Sequence, residues 1–567
     1  VHDGTPHWTN DPEWHTHQNY VGDSAVLRTE LYRNGMNLEF LDFVPPHLPV
    51  FVRRVRITSD TEFSGKLFCY VDLNVCERTE KNAAYYSKPM FVQYWHKYYI
   101  GVLPSPPPDE WQVGKLLHRM WWVDARQEIE EGKLGGLLEN LGNVNAGLGW
   151  RLELSPNDVF ELYLYVGYAE KRGIVESTLQ GIEFKPLLER TLDYWRGVMS
   201  CPSTILSGSH LPISDLPLSY KKLYNRSIIT LHLLLDSGGG FIASPEFDHY
   251  YEVSGGYGYC WNRDGVEMAR ALWKAGFEHP LISFLSWCKR TQLPNGSWFQ
   301  RYWLDGEPAP SWGNFEHSTQ LDETASTVHL MAKYALSLPE ERKKSFMRSY
   351  GGCIEKACDY LMEKTSDTLH DPCIDLWESS YGVFTYTTAS IIAALRDAGT
   401  FMDREDWVGK SEHLREGMEE LWLGDYYAKG MVDEELCEET DASILGTITP
   451  FEIVGGDKAL KIIDSVERNL GVETAKGRAI KRYESDGYVG GNPWVVTTLW
   501  LAKAMLKLGL RDRAMEYMEW ASKTTTSTGL LAEQVNLSGE PVWAIPLGWS
   551  CSEFIECVIE ATQHVRI

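Results

Sequence analysis

"TYTTASIIAALRDAGTFMDREDWVGKSEHLREGMEELWL" (385–423) carries apolar residues at helical spacing in two segments, 385–399 and 403–423, with only "TFM" (400–402) between them. So short a connection joins antiparallel neighbours, which makes the stretch a helical hairpin. The residues before it, 368–384, form a long loop. This alternation recurs outward in both directions. Further helical segments fall near 216–235, 260–276, 279–292, 319–338, 349–367, 441–451, 457–470, 493–509, 511–526 and 546–565. "FEH" (277–279) and "LR" (510–511) are again very short, whereas 236–259, 293–318, 471–492 and 527–545 are long. Short turns gather at one end of such an assembly, so the long loops must emerge at the other. About twelve helices in this order predict a closed double ring of six hairpins, an (α/α)6 barrel. An open solenoid would show a sequence repeat at fixed period, and none is seen.

Upstream of residue 190 the period is that of strands. "PVFVRRVRITS" (49–59), "GKLFCYVDLNV" (65–75), "FVQYWHKYYIGV" (91–102) and "DVFELYLYVGYA" (158–169) alternate apolar and polar, and turn clusters such as "PSPPPDE" and "GNVNAG" separate them. The expected fold class is therefore multidomain β + α. An N-terminal antiparallel β-sandwich (1–190) is followed by a linker (191–215) and the (α/α)6 barrel (216–567). The opening "VHDGTPHWTNDPEW" is turn-rich, as if early strands of the sandwich were lacking.

The net charge of −25 argues against a nucleic-acid partner, which wants a basic patch, and favours a neutral one. No apolar run reaches the roughly 18 residues that span a bilayer. The 11 cysteines lack CxxC or Cys/His metal spacing, so the expectation is reduced thiols, a cytoplasmic location, and no metal or cofactor. The acidic "DEELCEETD" (433–441) reads as a solvated loop rather than a Ca²⁺ site. Aromatic residues make up 12%, a composition that suits sugar-binding clefts as well as packing.

Long loops on one face are where a site is built. They carry Trp261, Arg263 and Asp264 at a helix start, Trp377-Glu378 in "DLWESS", and Glu533 in "GLLAEQVNLSGEPVW". Two carboxylates at one mouth suit glycoside hydrolysis: one protonates the leaving oxygen and the other, ionised, activates water or attacks. An apolar wall such as Trp377 would raise the pKa of Glu378 by desolvation. Each residue also has an ordinary role open to it. Glu378 and Glu533 could be helix-terminus charges, Asp322-Glu323 first-turn charges, Arg263-Asp264 an ion pair, and Trp312 and Trp494 packing.

In combination these motifs resemble the glucoamylase family, glycoside hydrolase family 15, in its bacterial and archaeal form, which joins a β-sandwich to an (α/α)6 barrel. "DLWES" is similar to the family's general-acid stretch, which implies that Glu378 is the acid; Glu533-Gln534 matches the "EQ" pair of the general base. "WNRD" implies that Trp261, Arg263 and Asp264 hold glucose at subsite −1, and "RYESDGYVGGNPW" implicates Arg482 and Trp494. Tyr257 falls where the family places a tyrosine near the catalytic water, and Trp312 in "SWG" resembles a subsite tryptophan. The family's glucoamylases have a second Glu after the acid, but here the position is Ser379. The resemblance implies exo-acting, inverting hydrolysis of α-1,4-glucans or maltooligosaccharides, with β-glucose as product. The alternatives are the family's α,α-trehalases and glucodextranases (α-1,6). A disaccharide phosphorylase would need no base at Glu533, and a non-catalytic binding protein would have lost the acid or the base.

Overall fold

The computed structural model describes residues 5–77, 79–116, 123–200, 216–246, 256–310 and 319–563. The chain divides into two compact units, residues 1–200 and 201–567.

The first unit is an antiparallel sandwich. Its strands are β1 (His15–Tyr20), β2 (Leu27–Arg33), β3 (Met36–Phe43), β4 (Val50–Ser59), β5 (Phe63–Val71), β6 (Ala83–Ser87), β7 (Met90–Trp95), β8 (Tyr98–Ser105), β9 (Glu110–Lys115), β10 (Glu139–Leu141), β11 (Val144–Leu154) and β12 (Val159–Ala169). One sheet runs β1-β2-β3-β4-β12-β8-β7-β6-β10, and β5-β11-β9 faces it. Alternation along the strands sends Leu38, Val55, Ile57, Phe91, Leu148 and Trp150 into the core between the sheets.

Two expectations need correction here. "FVQYWHKYYIGV" is a hairpin, not one strand: β7 turns back into β8 at His96, whose φ is +53°, and Phe91 pairs with Val102. The expected linker 191–215 begins inside a helix. After α1 (Ala125–Glu130) and α2 (Arg172–Leu179), α3 runs from Phe184 to Ser200. Phe184, Leu187, Thr191 and Trp195 recur at helical spacing and are buried, and Phe184 and Leu187 pack with Phe43 and Val50 on the outer face of the large sheet. Residues 201–215 lie outside the described residues.

The second unit contains α4 (Leu218–Leu234), α5 (Asn262–Lys274), α6 (Glu278–Thr291), α7 (Leu321–Ser337), α8 (Glu340–Glu363), α9 (Thr385–Met402), α10 (Glu405–Gly417), α11 (Gly456–Leu470), α12 (Val495–Lys507), α13 (Arg511–Lys523) and α14 (Gly548–Gln563). A 3-10 helix, Ala442–Thr447, stands where a full helix over 441–451 is expected, and α8 starts nine residues before the expected 349. Contacts close a ring in the order α5, α7, α9, the 3-10 helix, α12, α14 and back to α5. Members of this ring are buried nearly all round, as inner helices must be, whereas α8, α10 and α13 show charged outer faces. Among the described residues, six inner and six outer elements make the (α/α)6 barrel.

Short turns such as 403–404 and 508–510 lead from inner to outer helices. The long segments 235–261, 292–320, 364–384, 422–441, 471–494 and 524–547 lead from outer helices to the N-termini of inner ones. Among the described residues no helix is long and apolar enough to cross a membrane, and the ten described cysteines are free thiols.

Candidate active site

Residues from five of these long segments, with the first turns of α5 and α14, line a cavity of about 440 Å³. Tyr257, Trp261, Arg263, Asp264, Trp377, Glu378, Arg482, Trp494 and Glu533 all face it. Trp312 lies outside the described residues. Arg301, Ser379, Tyr483, Tyr488 and Trp549 also line the cavity.

Glu378 sits in the loop of a hairpin. Cys373–Ile374 pairs with Tyr381–Phe384, and the Asp375 amide donates to the Ser380 carbonyl at 3.0 Å. Closing the turn places Glu378 at φ +61°, in the left-handed region that costs a β-carbon-bearing residue roughly 1–2 kcal/mol. Such a conformation persists only where the surrounding structure over-determines it. Its Oε1 accepts from Trp261 Nε1 at 2.7 Å. Burial raises its pKa above the ordinary carboxyl value, against the opposing pull of Arg263, Arg301 and the Trp261 hydrogen bond. The apolar wall expected of Trp377 takes another form. Its indole N–H points away to Asp441, at 2.9 Å from Oδ1, while its ring packs near Trp494 and Trp549.

Glu533 is held by donors. Tyr257 O–H donates to Oε1 at 2.8 Å, and Gln534 Nε2 donates to Oε2 at 3.0 Å. Tyr257 is fixed in turn by Trp543 Nε1 at 3.2 Å and by a hydroxyl contact with Tyr488 at 3.1 Å. Burial nevertheless pushes Glu533 up to about 7, with Tyr257, Gln534 and Arg482 opposing the rise and Asp264 adding to it. Asp264, also buried, is pushed up to about 6 despite Arg263.

Arg263 is anchored by two acids whose sequence position suggests plain helix-start charges. Arg263 Nη1 lies 2.7 Å from Asp322 Oδ2 and 3.2 Å from Glu323 Oε1, and both of these acids are fully buried at the start of α7. Arg263 is thus tied to the neighbouring inner helix. Arg482 makes a two-pronged pair with Asp486 at 2.8 and 2.7 Å, and its guanidinium lies 4.4 Å from the Trp494 ring centroid. Arg301 packs 4.9 Å from the Tyr259 centroid and 5.2 Å from that of Trp261. Asp441, expected in a solvated acidic loop, is buried and accepts from Trp377 and from the Ser443 amide. Among the described residues the one candidate cluster of metal-ligating side chains is His7, Asp11 and Glu13 in the first unit, where Arg33 already contacts His7 and Glu13.

The arrangement unites the half-buried Glu378 and the buried Glu533, each with an indole or phenol donor, with paired arginines and tryptophan faces. Such a pocket can bind a neutral polyhydroxylated ring and present two proton-exchanging groups to it.

A family model described as glycosyl hydrolases family 15 matches residues 219–515, more than half of the 567. An uncharacterised glycosyl hydrolase of Methanocaldococcus jannaschii is 27% identical, over 99% of this chain and 92% of its own. Trehalase 2 of Sulfolobus acidocaldarius is 23% identical, over 92% of this chain and 85% of its own. The crystal structure of a bacterial glucoamylase complexed with acarbose superposes with a TM-score of 0.78 at 18% identity, over 98% of this chain and 86% of that one, and so shares the fold. With the family match extending over more than half of the chain, the chain belongs to glycosyl hydrolase family 15.

Proposed function

We propose that the protein is an exo-acting, inverting α-glucoside hydrolase that releases β-glucose from the non-reducing ends of α-1,4-glucans or maltooligosaccharides. The observation that carries this reading is the meeting of Glu378 and Glu533 on one cavity, together with Arg263, Asp264, Arg482 and Trp494. Glu378 is the general acid. Its raised pKa keeps a proton available for the glycosidic oxygen, and the Trp261 N–H stabilises the carboxylate left behind. Glu533 is the general base. A pKa of about 7 makes it a strong base near neutrality, and Tyr257 and Gln534 hold its carboxylate in one orientation. Water attacks the anomeric carbon as the C–O bond to the leaving group breaks. Glu533 takes the proton of the water, and Glu378 gives its own to the departing oxygen. Arg263, Asp264 and Arg482 bind sugar hydroxyls at −1, and the faces of Trp261, Trp377 and Trp494 cover the ring. No step requires a metal or cofactor.

A second reading, α,α-trehalase, draws on position 379. Ser379 presents no carboxylate to a leaving group, and its hydroxyl is engaged with Asp375 Oδ2 at 3.0 Å. Trehalase 2 is also among the relatives. Incubation with maltose, maltopentaose, isomaltose and trehalose, with released glucose followed by NMR at early times, separates the readings. The expected result is β-glucose from the maltosaccharides. Cleavage of trehalose alone would transfer the same mechanism to that disaccharide, and α-glucose released first from the maltosaccharides would overturn inversion.

A further inference from the structure

Lys429 belongs to no motif and does not line the cavity, yet it is 4% exposed in the barrel unit. Its Nζ lies 3.0 Å from Asp375 Oδ2, 3.7 Å from Asp441 Oδ2, 3.4 Å from Ser379 Oγ and 4.7 Å from the centroid of the Tyr483 ring. Asp375 and Asp441 are themselves the anchors of the loop that carries Glu378. Asp375 Oδ1 accepts from the amides of Ser379 at 2.7 Å and Ser380 at 2.9 Å, and its Oδ2 accepts from the Ser379 hydroxyl. Asp441 accepts the Trp377 indole N–H through both oxygens. The residues immediately before and after Glu378 are therefore each tied to one carboxylate, and one ammonium group bridges the two carboxylates. Lys429 is fixed from behind as well: its amide donates to the Cys437 carbonyl, and its carbonyl accepts from the first amide of α9.

We infer that Lys429 is a positioning residue for the general acid: by cross-linking Asp375 and Asp441 it holds the 376–379 turn, and with it the left-handed backbone of Glu378, in the geometry that aims the carboxyl group at the leaving oxygen. Two buried carboxylates, Asp375 at the start of the turn and Asp441 reaching Trp377 from a separate segment, would repel each other and seek water without a cation between them. A residue at φ +61° relaxes toward commoner backbone angles once its surroundings stop over-determining it. Lys429 acts through the loop and touches neither substrate nor the reacting atoms. The inference rests on the reading of Glu378 as proton donor.

Leaving-group dependence tests it. An α-linked glucose disaccharide needs protonation of its leaving oxygen, whereas α-glucosyl fluoride loses fluoride as an anion and needs little help from an acid. Lys429→Met is expected to lower kcat on the disaccharide about 100-fold. It should leave KM and kcat on the fluoride nearly unchanged, the same selectivity as Glu378→Gln. Equal losses on both substrates, or none, in a folded Lys429→Met protein would overturn the inference if Glu378→Gln remains selective. Should Glu378→Gln itself lose activity equally on both substrates, the assignment of the acid fails instead. If Lys429→Met does not fold, Lys429→Arg keeps the charge but not the compact point contact. It should give a smaller loss with the same selectivity, and a uniform loss or none there counts against the inference in the same way.

Discussion

The indole N–H of Trp261 stands 2.7 Å from Oε1 of Glu378, joining a residue at the head of α5 to one in the hairpin loop before α9. This bond favours the carboxylate while burial favours the acid, and burial wins. The proton donor proposed here thus has a partner ready for its conjugate base, which is the combination acid catalysis needs.

Replacement of that donor is the first prediction. Glu378→Gln should fold with an unchanged circular dichroism spectrum and lose turnover of poor leaving groups by roughly 10²–10⁴-fold. Activity near that of the parent protein would remove Glu378 from the mechanism.

Glu533→Ala should lose hydrolysis to a similar extent and regain turnover with added azide, which would enter from the face vacated by the base and give β-glucosyl azide. An α-azide product would mean that the attacking face has been misassigned.

Glu533 also links pH to stability. Its folded-state pKa, about 7, lies above the ordinary 4.5, so its contribution is fully present below pH 4.5 and is lost as pH rises through 7. At about 1.4 kcal/mol per pH unit the loss approaches ~3 kcal/mol at pH 8. Glu533→Gln, which mimics the protonated form, should therefore raise Tm at pH 8 and have little effect at pH 4. The reverse ordering of the two Tm differences would contradict the raised pKa.

Tyr257→Phe removes a donor that stabilises the Glu533 carboxylate. The pKa of the base should rise further, so the acid limb of kcat/KM should move to higher pH while the alkaline limb stays in place. A pH profile that falls uniformly would show that Tyr257 acts by packing alone.

Arg482→Lys is not conservative here. It gives up both prongs to Asp486 and the stacking on Trp494, so kcat/KM should fall roughly tenfold to hundredfold, the equivalent of one charged hydrogen bond. A variant with unchanged kcat/KM would limit Arg482 to a structural role.

What the sequence by itself determined is what local chemistry governs. The change from period two to helical period near residue 190, and the alternation of short turns with long loops, depend on neighbours a few residues apart. They place the loops bearing Glu378 and Glu533 at one end of the barrel. The hairpin at His96 escaped notice because its strands are apolar on both sides of a two-residue turn lacking glycine or proline. Only the tertiary structure decided which charges meet. Asp322 and Glu323 look like first-turn acids, but they pair with Arg263, about 60 residues away. Lys429 looks like a surface lysine until Asp375 and Asp441 close on it. The reason is physical: burial sets the energy of a charge, and burial exists only once loops from six hairpins have converged.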